Sequence, residues 1–488
     1  MRVISNAFWM LLCRVAADLL SFVLFADIAH VFGPTGTGEY AYAFALGNLA
    51  ALVATAGFEE YGIRQYVLLA PASREVLWRD ILSTQGRRLV VAALLFSLCL
   101  ALAAQSGSRD VMITELSLFL VGWGVAHTLF IPAMAAQAMV APSLTDLASR
   151  LGAVVVALCL LHLHASLPVV LVGFPLAGAA MVLVAARNAA QHGAPPRAGS
   201  SWRATLAISR GTAPFVGSDL LNQLYARTDL LLIAYLLSTT QVGLYAVGAK
   251  FVEVGVIPLL LFGTAAYPLL SRLAAEDPIQ FERAARDVMH LICLLAVWLA
   301  VGIACLVPLL VPLVFGEGFQ PAVPLLPWFA ALALAKGGEI ALYRLLYSLH
   351  GQTLYVRCLF IGTIVIAVLN ILLIPRLGIL GAVLAAVASS LVVDVLCVYA
   401  LRSRLRSSLF VGAALRTALA LAITALVFDY AGRLGASPWL NATLACGIAP
   451  VCCAVLGLVP RRRTSPLLSQ VHAKSATALS PVEVTRDG

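Results

Sequence analysis

Charge is what this sequence has least of. Asp, Glu, Lys and Arg make up 11% of its 488 residues, whereas soluble domains carry about a quarter. Hydrophobic residues make up 61%. Too little charge is present to cover a water-facing surface, which excludes a soluble globular protein and points to an integral membrane one. Long polar loops are missing too, so no sizeable soluble domain fits between the apolar runs. The ten cysteines lie almost wholly within those runs and lack metal-type spacing; Cys452 and Cys453 are merely adjacent. They read as small apolar packing residues, and neither a metal nor a cofactor is expected. The net charge of +9 forms no clustered basic face, so no nucleic-acid partner is expected. The first apolar run is too long for a cleavable signal peptide. The sequon Asn441-Ala442-Thr443 is read as chance.

What the chain does have is apolar length. Fourteen runs, at about 6–30, 39–62, 88–105, 111–138, 146–164, 168–187, 211–236, 242–269, 288–313, 322–348, 355–374, 378–401, 409–429 and 438–459, can each cross a bilayer. A spanning helix takes roughly 20 residues. Lipid offers no partners to backbone groups, which selects helices, and the runs are too long and unbroken for barrel strands. With the N-terminus placed in the cytoplasm, 23 basic residues fall on its side of the membrane and three, Arg109, Arg376 and Arg433, on the other. That asymmetry follows the positive-inside rule and predicts both termini cytoplasmic. The two faces are called below the arginine-rich and arginine-poor sides.

Three longer segments lie on the arginine-rich side. Residues 63–87 and 271–287 contain "PASREVLWRDIL" and "DPIQFERAARD", whose one-sided apolar residues predict short helices lying on the membrane surface. Residues 188–210 contain "HGAPPRAGSS", read as a flexible linker. The tail, 460–488, lacks apolar periodicity and is expected to be disordered. "GEYAYAF" from Gly38 and "GLYAVGA" from Gly243 open spans 2 and 8, each after a turn on the arginine-poor side. Six spans separate these copies, so the halves repeat in parallel, a construction found in transporters with a site between the halves. The expected organisation is a six-helix bundle at 1–187, the linker, a second six-helix bundle at 211–401, and two additional helices at 402–459.

Ionisable residues inside a span cost a few kcal/mol and usually meet a partner or a water-filled cavity. Span 1 carries Arg14 and Asp18, span 7 Arg227 and Asp229, span 8 Lys250 and Glu253, span 10 Lys336, Glu339 and Arg344, and span 12 Asp394. The i,i+4 pair Arg14–Asp18 and the i,i+3 pair Lys250–Glu253 also suit simple neutralisation within one helix. The concentration in spans 1, 7, 8 and 10 nevertheless predicts one central cavity. Arg227, roughly sixteen residues into its span, is the leading candidate cation, supported by Arg14, Lys250, Lys336 and Arg344. Guanidinium groups suit phosphate through their forked donors. The acids Asp18, Asp229, Glu253 and Glu339 are left to hold those cations or to couple transport to protons or sodium.

Four segments carry a resemblance: "RTDLLLIAYLLSTTQVGLYAVGAKFVEVGVIPLLLFGTAAYPLLSRL" at 227–273, "LVFGEGFQPAVPLLPWFA" at 313–330, "PRLGILGAVLAAVASS" at 375–390 and "VFGPTGTGEYAYAFALGNL" at 31–49. In this order they resemble the Wzx-type O-antigen and exopolysaccharide flippases of the multidrug/oligosaccharidyl-lipid/polysaccharide exporter superfamily. The resemblance implies an all-α membrane protein with two six-helix bundles around a V-shaped, alternately accessible cavity, here with about fourteen helices. It implies a bacterial inner-membrane protein that translocates undecaprenyl-pyrophosphate-linked oligosaccharide. Membrane lipid and the polysaccharide polymerase and chain-length machinery are the implied partners. Span 7 matches the family's Arg-x-Asp pattern at Arg227 and Asp229. No catalytic residue is carried over.

The competing readings are a lipid II flippase or a drug/cation antiporter of the same superfamily and, further off, a membrane glycan-modifying enzyme. An enzyme of that kind generally presents a long reactive loop on the arginine-poor side. His162 and His164 in "HLHAS" are the only suggestive pair here.

Overall fold

A computed structural model describes residues 2–103, 107–195 and 199–458. Among them no strand occurs, and the tail expected to be disordered lies outside the described residues. Twelve helical stretches are long and apolar enough to cross a membrane. The first, Trp9–Leu68, is 60 residues long and makes two passes, because it bends sharply within helix α1 (Arg2–Thr55). The bend is at Gly33, whose φ of 64° and ψ of −168° only glycine adopts easily, followed by Pro34, which has no N–H to continue the ladder. A further helix, Trp202–Leu236, is 35 residues long but carries Arg203, Arg210, Asp219, Arg227 and Asp229, which keep it out of the apolar set. Those two facts reconcile twelve apolar stretches with the fourteen crossings read from the sequence.

The described residues form two compact units, one within 2–250 with 311–323 and 363–385, the other within 251–310 with 324–362 and 386–458. In the first, α1 is followed by α2 (Phe58–Leu68), α3 (Pro71–Ala103), α4 (Ser108–Leu129), the single turn α5 (Ile131–Ala135), α6 (Val140–His162), the short α7 (Leu167–Leu171), α8 (Gly173–Gln191) and α9 (Trp202–Leu236). Helix α1 packs on α4 and α6, and α4 on α8. Helices α4 and α8 cross where Gly122 faces Gly178 so closely that a Cβ on Gly122 would lie 3.1 Å from the other backbone. Small residues at such crossings let dispersion replace the hydrophobic drive that lipid does not supply.

Helix α10 (Thr239–Gly255) passes from the first unit into the second, which continues with α11 (Ile257–Glu276) and α12 (Pro278–Val301). A π-helical turn, Gly302–Leu306, then leads into α13 (Val307–Phe315). The wider turn accommodates Pro308, whose ring would clash with the carbonyl one turn back. Helix α14 (Leu326–Ser348) packs on α11 and α12; α15 (Gln352–Leu377) and α16 (Ile379–Leu401) follow. The two additional helices, α17 (Ser407–Arg433) and α18 (Pro438–Val455), lie on α12 around Val297, Val301, Ala420, Ala445, Ala449 and Cys453. Asn441 of the sequon is buried there and donates to the Phe428 carbonyl.

Two sequence expectations change. The amphipathic segments are not separate helices on the lipid surface: they are the first turns of α3 and α12. Their apolar sides face protein, with Trp78 and Ile81 buried in the first unit and Phe281, Ala284, Ala285 and Val288 in the second. A one-sided helix needs only an apolar neighbour, and adjoining helices supply it. The linker is also held rather than loose. The Trp78 indole donates to the Pro195 carbonyl at 3.3 Å, Gly199 N–H to Ser83 Oγ at 2.8 Å, and Arg87 to the Ser200 carbonyl at 2.7 Å. Its Gly, Pro and Ser composition signals only the absence of helix; the anchoring side chains reside on α3.

Trp78→Ala is therefore expected to lower the stability of the purified protein by about 3–5 kcal/mol, as for a large buried side chain. Val76→Ala, at an exposed position two residues away, should be nearly neutral. Thermal unfolding in detergent measures both; equal small effects would return the segment to the lipid surface.

Candidate functional site

The two copies of the repeat meet on the arginine-poor side of the first unit. Thr35 Oγ1 and Thr240 Oγ1, 205 residues apart, share a hydrogen bond of 2.9 Å. Gly38 and Gly243 have the same separation and face each other's turns. A Cβ on Gly38 would fall 1.8 Å from the Thr239 carbonyl oxygen, and one on Gly243 1.9 Å from the Pro34 carbonyl oxygen. Thr239 is the repeat equivalent of Pro34, so the contact is reciprocal, as about a two-fold axis. No side chain larger than hydrogen fits at either position. Arg109, one of the three basic residues on this side, fastens the seam. Its Nε donates to Glu39 Oε1 at 3.2 Å and its Nη2 to Thr239 Oγ1 at 3.3 Å. Phe315 closes edge-on against Phe22 and Phe25.

Deeper in the same unit lie the span-7 charges. Asp229 is buried. Its Oδ1 accepts from Leu230 N–H at 2.7 Å, and its Oδ2 from the Tyr245 hydroxyl. Tyr245 is the tyrosine of "GLYAVGA", so the second repeat copy supplies the group that fixes the acid of the Arg-x-Asp pattern. Arg227 lies over the Phe44 ring at 5.8 Å, and Lys250 over the Phe25 ring at 5.9 Å. Both rings belong to α1, so cations from the second half rest on aromatic faces from the first. Arg14 pairs along its own helix with Asp18 at 3.1 Å and is largely exposed. This is the i,i+4 contact that its spacing allowed. Glu253 is exposed, near the end of α10.

The remaining candidates lie in the second unit. Lys336 Nζ contacts Glu339 Oε2 at 2.8 Å, and the Tyr355 hydroxyl donates to Glu339 Oε1 at 3.2 Å. Asp394, on α16, comes up against Gly338: a Cβ there would lie 2.8 Å from Asp394 Oδ2. Asp394 Oδ1 is buried without a hydrogen-bond partner. Three ionisable side chains from two helices thus come together. Arg344 lies apart from them, donating from Nη2 to Thr264 Oγ1 at 2.6 Å and covering the Tyr343 ring at 4.7 Å. Sequence reasoning missed Tyr245, the Arg109–Glu39 contact and the place of Asp394 beside Glu339. Only Tyr245 had a signal, its position in the repeat. His162 bonds the Leu158 carbonyl of its own helix.

A family profile described as "Polysaccharide biosynthesis protein" matches residues 3–274. Among solved structures, the fold is similar to that of lipid II flippase MurJ in an inward closed conformation. The TM-score is 0.70 at 12% identity, over 96% of this chain and 99% of that one. An inward-facing multidrug resistance MATE transporter of the MOP superfamily matches with a TM-score of 0.59 at 12% identity, over 79% of this chain and 94% of its own. A MOP superfamily transporter from Pyrococcus furiosus matches with a TM-score of 0.54, also at 12% identity, over 84% and 96% of the two chains. At such identities the likeness is one of fold. No curated protein matches the chain. The family match spans more than half of the sequence and includes both repeat copies and the Arg-x-Asp pattern, and so this multi-pass, all-α membrane protein belongs to the polysaccharide biosynthesis protein family.

Proposed function

We propose that the protein is a flippase that moves undecaprenyl-pyrophosphate-linked oligosaccharide across the bacterial inner membrane, with both termini in the cytoplasm, for synthesis of a surface polysaccharide. The observation that carries this reading is Arg227: a permanent cation inside a long helix between apolar spans, resting on Phe44, in a chain of the polysaccharide biosynthesis family. An isoprenyl pyrophosphate must bring its anionic group through hydrocarbon. A forked guanidinium at that depth offsets the cost of desolvating it. Arg14 and Lys250 assist from neighbouring helices. The protein changes no covalent bond, and transport is driven by protons or sodium, with Glu339 and Asp394 beside Lys336 as the acids most suited to the coupling ion.

The flippase exposes its cations to one side at a time. The shut seam at Gly38 and Gly243 supports a state closed toward the arginine-poor side, and transport requires that seam to part. A deletion strain tests the substrate. It should lose surface glycan and accumulate undecaprenyl-linked repeat units on the cytoplasmic leaflet. Accumulation of lipid II instead would make the chain a lipid II flippase. Intact glycan with new drug sensitivity would make it an antiporter.

In that strain, Arg227→Ala at normal expression should reduce export about tenfold or more, equivalent to about 1.4 kcal/mol or more of lost binding. Arg227→Lys should fall between, since it keeps charge but loses the fork; unchanged export by both would remove Arg227 from the site. A Thr35→Cys, Thr240→Cys pair, placed in a chain stripped of its ten cysteines, should cross-link and stop export until a reductant is added. Full export by the cross-linked protein would show that the seam never opens.

A further inference from the structure

The second unit holds a polar and aromatic cluster that the pyrophosphate does not need. Tyr343 and Tyr347, one turn apart on α14, meet edge to face with centroids 5.5 Å apart. Tyr355 of α15 joins both, at 5.4 and 5.8 Å. Tyr343 and Tyr347 are each only half-buried, so ring surface remains open beside a buried third ring. Arg344 lies between this array and α11, over Tyr343 and hydrogen-bonded to the exposed Thr264. Its Nε is buried without an acceptor. Gly263 leaves the room: a Cβ there would approach the Arg344 side chain to 3.3 Å.

Tyrosines of an interfacial belt set the ring in lipid and the hydroxyl to the headgroups. These instead pack on one another around a guanidinium that still has donors to give. A lipid tail has no use for those donors. A pyrophosphate calls for several cations, and Lys336, on the same helix, is already held by Glu339. The ligand that combines an apolar face with a rim of acceptors is a sugar ring. Its C–H face lies on an aromatic ring, and its hydroxyl or carboxylate oxygens take the arginine and threonine.

We propose that Tyr343, Tyr347, Arg344 and Thr264 form a saccharide subsite that receives a ring of the oligosaccharide, apart from the cations that take its pyrophosphate. The inference rests on the flippase reading above. It makes this cluster, not Arg227, the place where one glycan is told from another.

The test uses the full chain in nanodiscs and two probes. One is the lipid-free oligosaccharide released from the host's own surface polysaccharide; the other is farnesyl pyrophosphate, which carries no sugar. Wild type should bind both. Tyr343→Ala, Tyr347→Ala and Arg344→Ala should each weaken oligosaccharide binding about tenfold and leave farnesyl pyrophosphate within about twofold. Arg227→Ala should do the reverse. Thr264→Val and Tyr343→Phe keep shape and serve where an alanine variant misfolds; each should weaken the oligosaccharide alone, through a lost hydroxyl. Arg344→Lys separates the oligosaccharides: an acidic sugar should retain much of its affinity, a neutral one should not. Oligosaccharide affinity unchanged in all these variants overturns the subsite. Wild type that binds farnesyl pyrophosphate but no oligosaccharide also overturns it, while leaving the flippase reading in place. Wild type that binds neither probe overturns both.

Discussion

Inside hydrocarbon, a polar group with no protein partner has none at all, and leaving one so costs several kcal/mol. That constraint governs where this chain places its few charges. Asp18 lies on Arg14, Glu339 on Lys336 and the Tyr355 hydroxyl, and Asp229 on the Tyr245 hydroxyl and a backbone N–H. Asp229 illustrates the economy. A carboxylate in a span is tolerable here because a helix N–H and the Tyr245 hydroxyl both donate to it. The same constraint shapes the backbone. The chain reverses at Gly33–Pro34 and widens ahead of Pro308, where the helical ladder can be interrupted with least loss.

The charges also differ in kind between the two units. In the first, cations from the second half of the sequence rest on phenylalanine rings from the first half. A ring face attracts a cation through its quadrupole, and Phe44 and Phe25 offer such faces to Arg227 and Lys250. In the second, Lys336 and Glu339 neutralise each other at contact distance, with Asp394 close by. The aromatic cluster around Arg344 belongs to neither pattern.

Much of this was legible in the sequence. Scarcity of charge and the arginine asymmetry give a multi-pass helical protein, and apolar run lengths place the crossings. Arg227 and Asp229 stand out because permanent charge in a span is rare. Contacts between distant segments were not legible. "PASREVLWRDIL" has the pattern of a surface helix, and only tertiary structure decides that Trp78 turns to protein and grips the linker. The linker's composition says that no helix forms, and nothing about who holds it. Arg109 looked like a stray exception to the charge asymmetry; its place between Glu39 and Thr239 depends on three segments converging. Asp394 reads as one more buried acid until α14 brings Glu339 beside it.

The reciprocal fit of Gly38 and Gly243 bears on how the two halves have been able to change. Elsewhere the halves meet through side chains, as where Arg227 and Lys250 lie over Phe44 and Phe25, and a change on one side can be met by a change on the other. At this seam each copy is the other's packing surface. A side chain gained on one glycine cannot be absorbed by a matching change on the other, because what it strikes is backbone. The pair therefore acts as a single inherited unit written twice, 205 residues apart, and a trace of duplication persists where the duplicates touch.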